Sequence, residues 1–260
     1  MTPLDGRRIV VTRAAEQAGE LADALAARGA DVVIAPTIRI EPLPGSELGA
    51  LRAALLALTG YRWIVFTSRN AVRVVTDRMA EWRLGTDALA RAPVAAIGPA
   101  TAAALVERGV TPEVVPPRFV AEAVVEALAA RGGLAGARIL LPRALDARDA
   151  LPAGLRQHGA TVEIVPVYRT VTADGGGDAR GLAADLLDGR IDAVTFTSSS
   201  TVRHFVDLVG ADAATCGRFT TAVIGPVTAD TARELGLVVG VEAEVYTVPG
   251  LVDALVRHFT

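Results

Sequence analysis

Ile64-Val65-Phe66-Thr67-Ser68 returns as Val194-Thr195-Phe196-Thr197-Ser198, 130 positions further along the chain. The same spacing of 130 relates Arg13 to Arg143, Gly29-Ala30 to Gly159-Ala160 and Pro36 to Pro166. Ile97-Gly98-Pro99 with Thr101 returns as Ile224-Gly225-Pro226 with Thr228, and Val124 to Leu128 returns as Leu251 to Leu255, both at a spacing of 127. Landmarks that repeat in the same order mark two related halves, each about 130 of the 260 residues.

Within each half, short β-branched runs alternate with Ala- and Leu-rich stretches of helical period. Arg8 to Thr12, Trp63 to Thr67 and Val94 to Ile97 read as buried strands. Glu16 to Arg28 reads as a helix stopped by Gly29, another starts at Asn70, and a third covers Ala100 to Arg108. Strands of four to six apolar residues with helices between them predict parallel sheets covered on both faces. The expectation is two similar three-layer α/β lobes. Ile34 to Leu43 and Thr161 to Thr172 are extended runs interrupted by Pro36 and Pro166, and a proline inside a strand belongs at an edge or a bulge. Both are read as hinge strands passing between lobes rather than as central sheet strands. Asp174-Gly175-Gly176-Gly177-Asp178 reads as a solvated loop.

Composition removes whole branches of chemistry. All 26 cationic side chains are arginine, so no lysine is present for a Schiff base or a phosphate loop. The single cysteine, Cys216, builds neither an internal disulfide nor a thiolate metal site. The three histidines, His158, His204 and His258, are scattered without ligand-type spacing, so no metal is expected. A net charge of −3 argues against a broad nucleic-acid surface. No apolar run reaches the roughly 18 residues that span a bilayer. Met1 to Arg13 has no secretory pattern, so a cytoplasmic location is expected.

In parallel α/β sheets ligands bind beyond the carboxyl ends of the strands, where helices present free N–H groups and a positive dipole end. This chain places hydroxyls and arginines there repeatedly: Arg13 and Arg143, Ser68 with Asn70, Ser198 with Ser199, Thr101 after Gly98-Pro99, and Thr228 after Gly225-Pro226. Taken singly, a Ser or Thr at such a junction is an N-cap. Taken together, about four anion-ready turns and two arginines suit an extended ligand bearing several carboxylates or phosphates. Glycine is read there as allowing a tight turn, and proline as a first helical residue. Tyr168 stands apart, because its counterpart at the spacing of 130 is Ile38. A phenol of pKa about 10 remains protonated in a cleft and can donate to a leaving oxygen. Tyr246, opposite Phe119 in the repeat, is a lesser candidate.

The series Thr12-Arg13 with Gln17, Phe66 to Val72, Ile97 to Ala102, Leu141-Pro142-Arg143-Ala144, Val165 to Thr170, Phe196 to Ser200, and Tyr246-Thr247 with Gly250-Leu251 resembles uroporphyrinogen-III synthase along essentially the whole chain. The resemblance implies two α/β lobes joined by a two-stranded antiparallel ladder, with the first βα unit crossing to pack with the C-terminal part. It moves the lobe boundary from the midpoint of the repeat to 1–37 plus 172–260 for one lobe and 38–171 for the other. It implies closure of hydroxymethylbilane to uroporphyrinogen III, with inversion of ring D and loss of water, using no cofactor. It also implies roles: Tyr168 as proton donor to the leaving hydroxyl; Ser68, Asn70, Thr101, Ser198, Ser199 and Thr228 as carboxylate holders; Arg13 and Arg143 as positive charge. The expected partners are the small-molecule bilane and, transiently, the enzyme that makes it, with the chain acting as a monomer. The alternative is a non-catalytic tetrapyrrole- or anion-sensing module of the same fold.

Overall fold

The computed structural model describes residues 2–147, 149–173 and 179–260. The loop read at Asp174 to Asp178 lies outside the described residues. The first third of the chain runs β1 (Arg8–Val11), α1 (Ala15–Ala26), β2 (Asp31–Ile34), β3 (Ile38–Pro42), α2 (Gly49–Leu56), β4 (Trp63–Phe66) and α3 (Arg69–Glu81). The middle runs β5 (Val94–Ala96), α4 (Pro99–Val106), α5 (Ala121–Ala130), β6 (Arg138–Ala144), α6 (Ala150–Gln157) and β7 (Thr161–Thr172). The last part runs α7 (Ala179–Leu187), β8 (Ala193–Phe196), α8 (Ser199–Val209), α9 (Ala211–Ala214), β9 (Thr220–Val223), α10 (Pro226–Glu234), β10 (Val239–Glu242) and α11 (Val248–Phe259). The chain divides into two compact units, Met1–Arg39 with Val171–Thr260 (unit 1) and Ile40–Thr170 (unit 2).

Unit 1 is built on a five-stranded sheet of order β10-β9-β8-β1-β2. Its pairings are parallel, with Ile9, Val10 and Val11 opposite Ala193, Val194 and Thr195. The N-terminal strand therefore lies inside a sheet made mostly by the last third of the chain, which is the crossing the fold was expected to have. Side chains alternate across the strand as the pleat requires. Val10, Val194 and Phe196 pack with Phe205, Val202 and Leu186 on one face. Ile9 and Val11 pack with Leu21, Leu25, Leu251 and Leu255 on the other. Helices thus cover both faces, and Gly29 at φ 96° takes the left-handed turn that ends α1.

Unit 2 repeats the plan with the order β3-β7-β6-β4-β5. Ile64, Phe66 and Leu140 face Val72, Val75 and Leu105, whereas Trp63, Val65, Ile139 and Leu141 face Val124, Leu128, Leu151 and Leu155. Each such fully buried aliphatic side chain contributes on the order of 1.5–3 kcal/mol over exposure.

Two expectations for the hinge runs are corrected. Ile34 to Leu43 is not one strand: β2 ends at Ile34 and β3 begins at Ile38. In between, Ala35 N donates to Val11 C=O and Thr37 N to Thr12 C=O, and Pro36, lacking an N–H, breaks the ladder. Thr161 to Thr172 was expected as a hinge strand rather than a central sheet strand, yet β7 is an inner strand, flanked by β3 and β6. Its pairing with β6 is parallel, and the register slips at Arg143/Ala144, so that Pro166 faces Arg143 and Tyr168 faces Ala144. The proline is accommodated by a bulge. Further along, Leu43 N donates to Val167 C=O and Ala173 N to Thr37 C=O, so β3 and β7 form an antiparallel ladder.

Candidate functional site

All candidate residues of unit 2 fall at the carboxyl end of its parallel strands. Ser68 follows β4 in extended conformation (φ −157°, ψ 152°) and caps α3, its Oγ accepting the Ala71 N–H at 3.0 Å. The same Oγ lies 3.0 Å from the phenol oxygen of Tyr168. The side chain of Asn70 also hydrogen-bonds that phenol. Tyr168 is 6% exposed. Burial pushes its pKa above 10.0, while the bonds from Ser68 and Asn70 pull it down. The phenol is therefore protonated near neutrality, and two donors stand ready to hold the oxygen when its proton leaves. Arg143, buried at the end of β6, donates from Nη2 to Asp149 at 2.8 Å. Thr101 is buried in the first turn of α4, and among the described residues its hydroxyl has no hydrogen-bond partner.

Unit 1 presents the counterpart set on its own sheet. Arg13 is buried just beyond β1, with Nη1 3.7 Å from Glu20. Ser198 begins α8 with a reciprocal cap: its Oγ accepts the Thr201 N–H at 3.3 Å, and its N–H donates to Thr201 Oγ1 at 3.3 Å. Ser198 Oγ also lies 2.9 Å from Ser200 Oγ. Ser199 points elsewhere: its hydroxyl donates to Val227 C=O at 3.2 Å and accepts from Thr231 at 2.8 Å, bracing α8 against α10. Thr228, buried in the first turn of α10, matches Thr101, with no partner for its hydroxyl among the described residues.

The glycines at these turns serve a purpose different from the one read in the sequence. Gly98 and Gly225 have extended backbones (φ −170° and 168°) that any residue adopts. What excludes a side chain is a ring. A Cβ on Gly98 would sit 3.0–3.2 Å from Phe119, and one on Gly225 3.0–3.5 Å from Tyr246. Phe119 and Tyr246, both half-buried, thus wall the starts of α4 and α10, a role the sequence signals only through their equivalence in the repeat. Pro99 and Pro226 occupy first helical positions, where no N–H is needed.

Among the described residues, no group of three or more His, Cys, Asp or Glu is placed to hold a metal ion, and no helix is long and apolar enough to cross a membrane. The chain matches the sequence profile of the family described as Uroporphyrinogen-III synthase HemD over residues 19–253. It is 35% identical to the uroporphyrinogen-III synthase of Synechococcus elongatus over 259 residues, covering 97% of this chain and 96% of that one. A crystal structure of a mutant uroporphyrinogen III synthase from Thermus thermophilus superposes with a TM-score of 0.67 at 21% identity, covering 97% of this chain and 98% of that one. The uroporphyrinogen-III synthetase of Helicobacter pylori gives a TM-score of 0.62 at 16% identity, covering 96% and 99% of the two chains. At such identities these two structures share the fold.

Proposed function

Because the chain belongs to the uroporphyrinogen-III synthase family, we propose that it is a cyclising lyase that closes hydroxymethylbilane to uroporphyrinogen III. The observation that supports this reading is the buried Tyr168 phenol held by Ser68 and Asn70 at the carboxyl end of a parallel sheet. The bilane carries acetate and propionate on its pyrroles. Free N–H groups at helix starts suit such carboxylates.

In this reading the C–O bond of the hydroxymethyl group breaks with its electron pair going to oxygen. That oxygen takes the proton of Tyr168 and leaves as water. Ser68 and Asn70 stabilise the phenolate until it is reprotonated. The azafulvenium cation left behind is then attacked by the substituted carbon of ring D, and a spiro intermediate fragments and recloses with ring D inverted. The proton lost as the last pyrrole regains aromaticity balances the one that Tyr168 gave. Ring closure without enzyme gives the type I isomer, so the protein contributes positioning as well as proton transfer. The turns at Ser68, Asn70 and Thr101 and those at Ser198, Ser199 and Thr228 hold carboxylates through backbone amides. The Ser199 hydroxyl is already engaged with α10 and the Ser198 N–H with Thr201 Oγ1, so neither is counted among these contacts. Arg13 and Arg143 supply positive charge. The chain acts as a monomer in the cytoplasm, with no cofactor, and receives the bilane through at most transient contact with the enzyme that makes it.

The test is to supply freshly generated hydroxymethylbilane and resolve the isomers formed. Type III is expected to accumulate; type I alone overturns the reading. Tyr168→Phe is expected to lower kcat by about 10²–10⁴-fold while KM changes little. Turnover at the wild-type rate removes Tyr168 from the proposed role.

A further inference from the structure

Beneath the Ser198 turn lies a set of buried hydroxyls that the proposed reaction does not use. Thr12, Thr37 and Thr195 are 0% exposed and Thr201 is 1% exposed. Thr195 Oγ1 donates to Val10 C=O at 2.8 Å, and Thr12 Oγ1 to Thr195 C=O at 2.7 Å, lacing β8 to β1. Thr37 Oγ1 shares its proton between the carbonyls of Thr12 and Thr201, each at 3.2 Å. Thr201 Oγ1 in turn donates to Ser198 C=O at 2.6 Å.

The other half of the repeat lacks all of this. At the spacing of 130, Thr12, Thr37, Thr195 and Thr201 correspond to Pro142, Val167, Val65 and Ala71. Unit 2 thus has apolar side chains at the equivalent positions, so the repeated plan does not demand hydroxyls there. Threonine in place of an equally shaped valine adds a polar group that must be satisfied. In return it gives directional bonds that select one arrangement. Thr37 is the junction of these bonds. Its N–H donates to Thr12 C=O at 3.1 Å, its C=O accepts the Ala173 N–H at 3.1 Å, and its hydroxyl reaches the first turn of α8. The chain leaves unit 1 just after Thr37 and re-enters it just before Ala173.

We propose that Thr37 is a positioning residue: through its hydroxyl it sets the first turn of α8, and hence the N–H groups that follow Ser198 at its start, against the end of β1 and the strand by which the chain returns. Its effect on turnover rests on the reading that this turn holds substrate carboxylates.

Thr37→Val keeps the shape and deletes the donor. In steady-state assays with hydroxymethylbilane, KM is expected to rise about tenfold with kcat within about twofold, and Thr37→Ser to restore most of the loss. Thr76→Val, which removes a buried hydroxyl bonded to Val72 C=O in its own helix of unit 2, should leave KM unchanged. An unchanged KM in Thr37→Val, or an equal loss in Thr37→Ser, overturns the inference. If Thr37→Val does not fold, Thr37→Cys against Thr37→Ser isolates donor strength, and identical KM values overturn it. A second readout needs no turnover: amide exchange at Thr201 and Val202 is expected to be faster in the valine variant, or in the cysteine variant if that replaces it. Equal exchange overturns the inference even if the wild-type chain yields type III isomer. A wild-type chain that makes only type I, with exchange accelerated in the variant, sinks the proposed activity and leaves the positioning intact.

Discussion

Gly98 and Gly225 owe their identity to neighbours that are distant in sequence. Neither backbone needs glycine, yet a methyl group at either meets a ring at 3.0 Å. Gly98→Ala is therefore expected to destabilise the chain by about 1–3 kcal/mol, the usual cost of overpacking. Phe119→Leu leaves a more adaptable neighbour, so the double variant Gly98→Ala/Phe119→Leu should lose less than the sum of the singles. Denaturant unfolding of all four chains in a double-mutant cycle measures the coupling, and strict additivity contradicts the account. Eight of the nine proposed site residues stand out in the sequence because strand ends and helix starts are local patterns, and Tyr168 because its repeat counterpart is Ile38. The ring over each glycine is not local. Phe119 lies beyond helix α4 from Gly98, and no periodicity announces the contact. The Thr12–Thr37–Thr195–Thr201 network was equally hidden, since threonine in a β-branched run reads as an ordinary strand residue.

At the scale of elements, the two ends of the unit 2 sheet are specialised differently. The carboxyl end carries hydroxyls and helix starts. The amino end is tied by Tyr61, Arg138 and Glu163, which anchor the start of β4, β6 and β7. Tyr61 donates to Glu163 at 2.6 Å, Arg138 donates to the same carboxylate at 3.0 Å, and the guanidinium stacks 4.7 Å from the Tyr61 ring centre. Burial first, and then the bond and charge of Glu163, push the Tyr61 phenol up to about 12. A phenol whose pKa is raised on folding contributes stability that is full below about pH 10 and is lost as pH rises toward 12. Tyr61→Phe should cost about 1 kcal/mol at pH 8, and its deficit relative to wild type should shrink between pH 10 and 12. Urea unfolding across that range measures it; a constant deficit refutes the assignment. The strands themselves were legible from their apolar runs. The break at Pro36 was not, because Ile34, Ile38 and Ile40 maintain an alternation that hides the change of sheet.

For the whole molecule, the repeat revealed two halves, but only the topology says which segments fold together. Unit 2 is continuous in sequence, whereas unit 1 needs both ends of the chain. A fragment covering 38–172 contains every strand of its sheet and is expected to fold alone. A fragment covering 171–260 lacks β1, the inner strand between β8 and β2, and is expected to remain unfolded until a peptide covering 1–39 is added. Circular dichroism and dispersed amide spectra of the two fragments distinguish these outcomes. Net charge belongs to this scale too: at −3 overall, attraction for a polyanion has to come from local arginines and helix starts.

The inner position of β1 also has a cost in time. The Arg8 amide waits for the carboxylate of Asp192, 184 residues downstream. At about 5–20 residues per second, the ribosome takes on the order of 10–40 s to deliver that partner. Throughout that interval Ile9, Val10 and Val11 have no β8 to lie against, while the continuous unit 2 has time to fold. Nascent chains should therefore be most exposed to chaperones and to aggregation through their first strand, and a circular permutant that begins at residue 171 and joins Thr260 to Met1 should shorten that exposure.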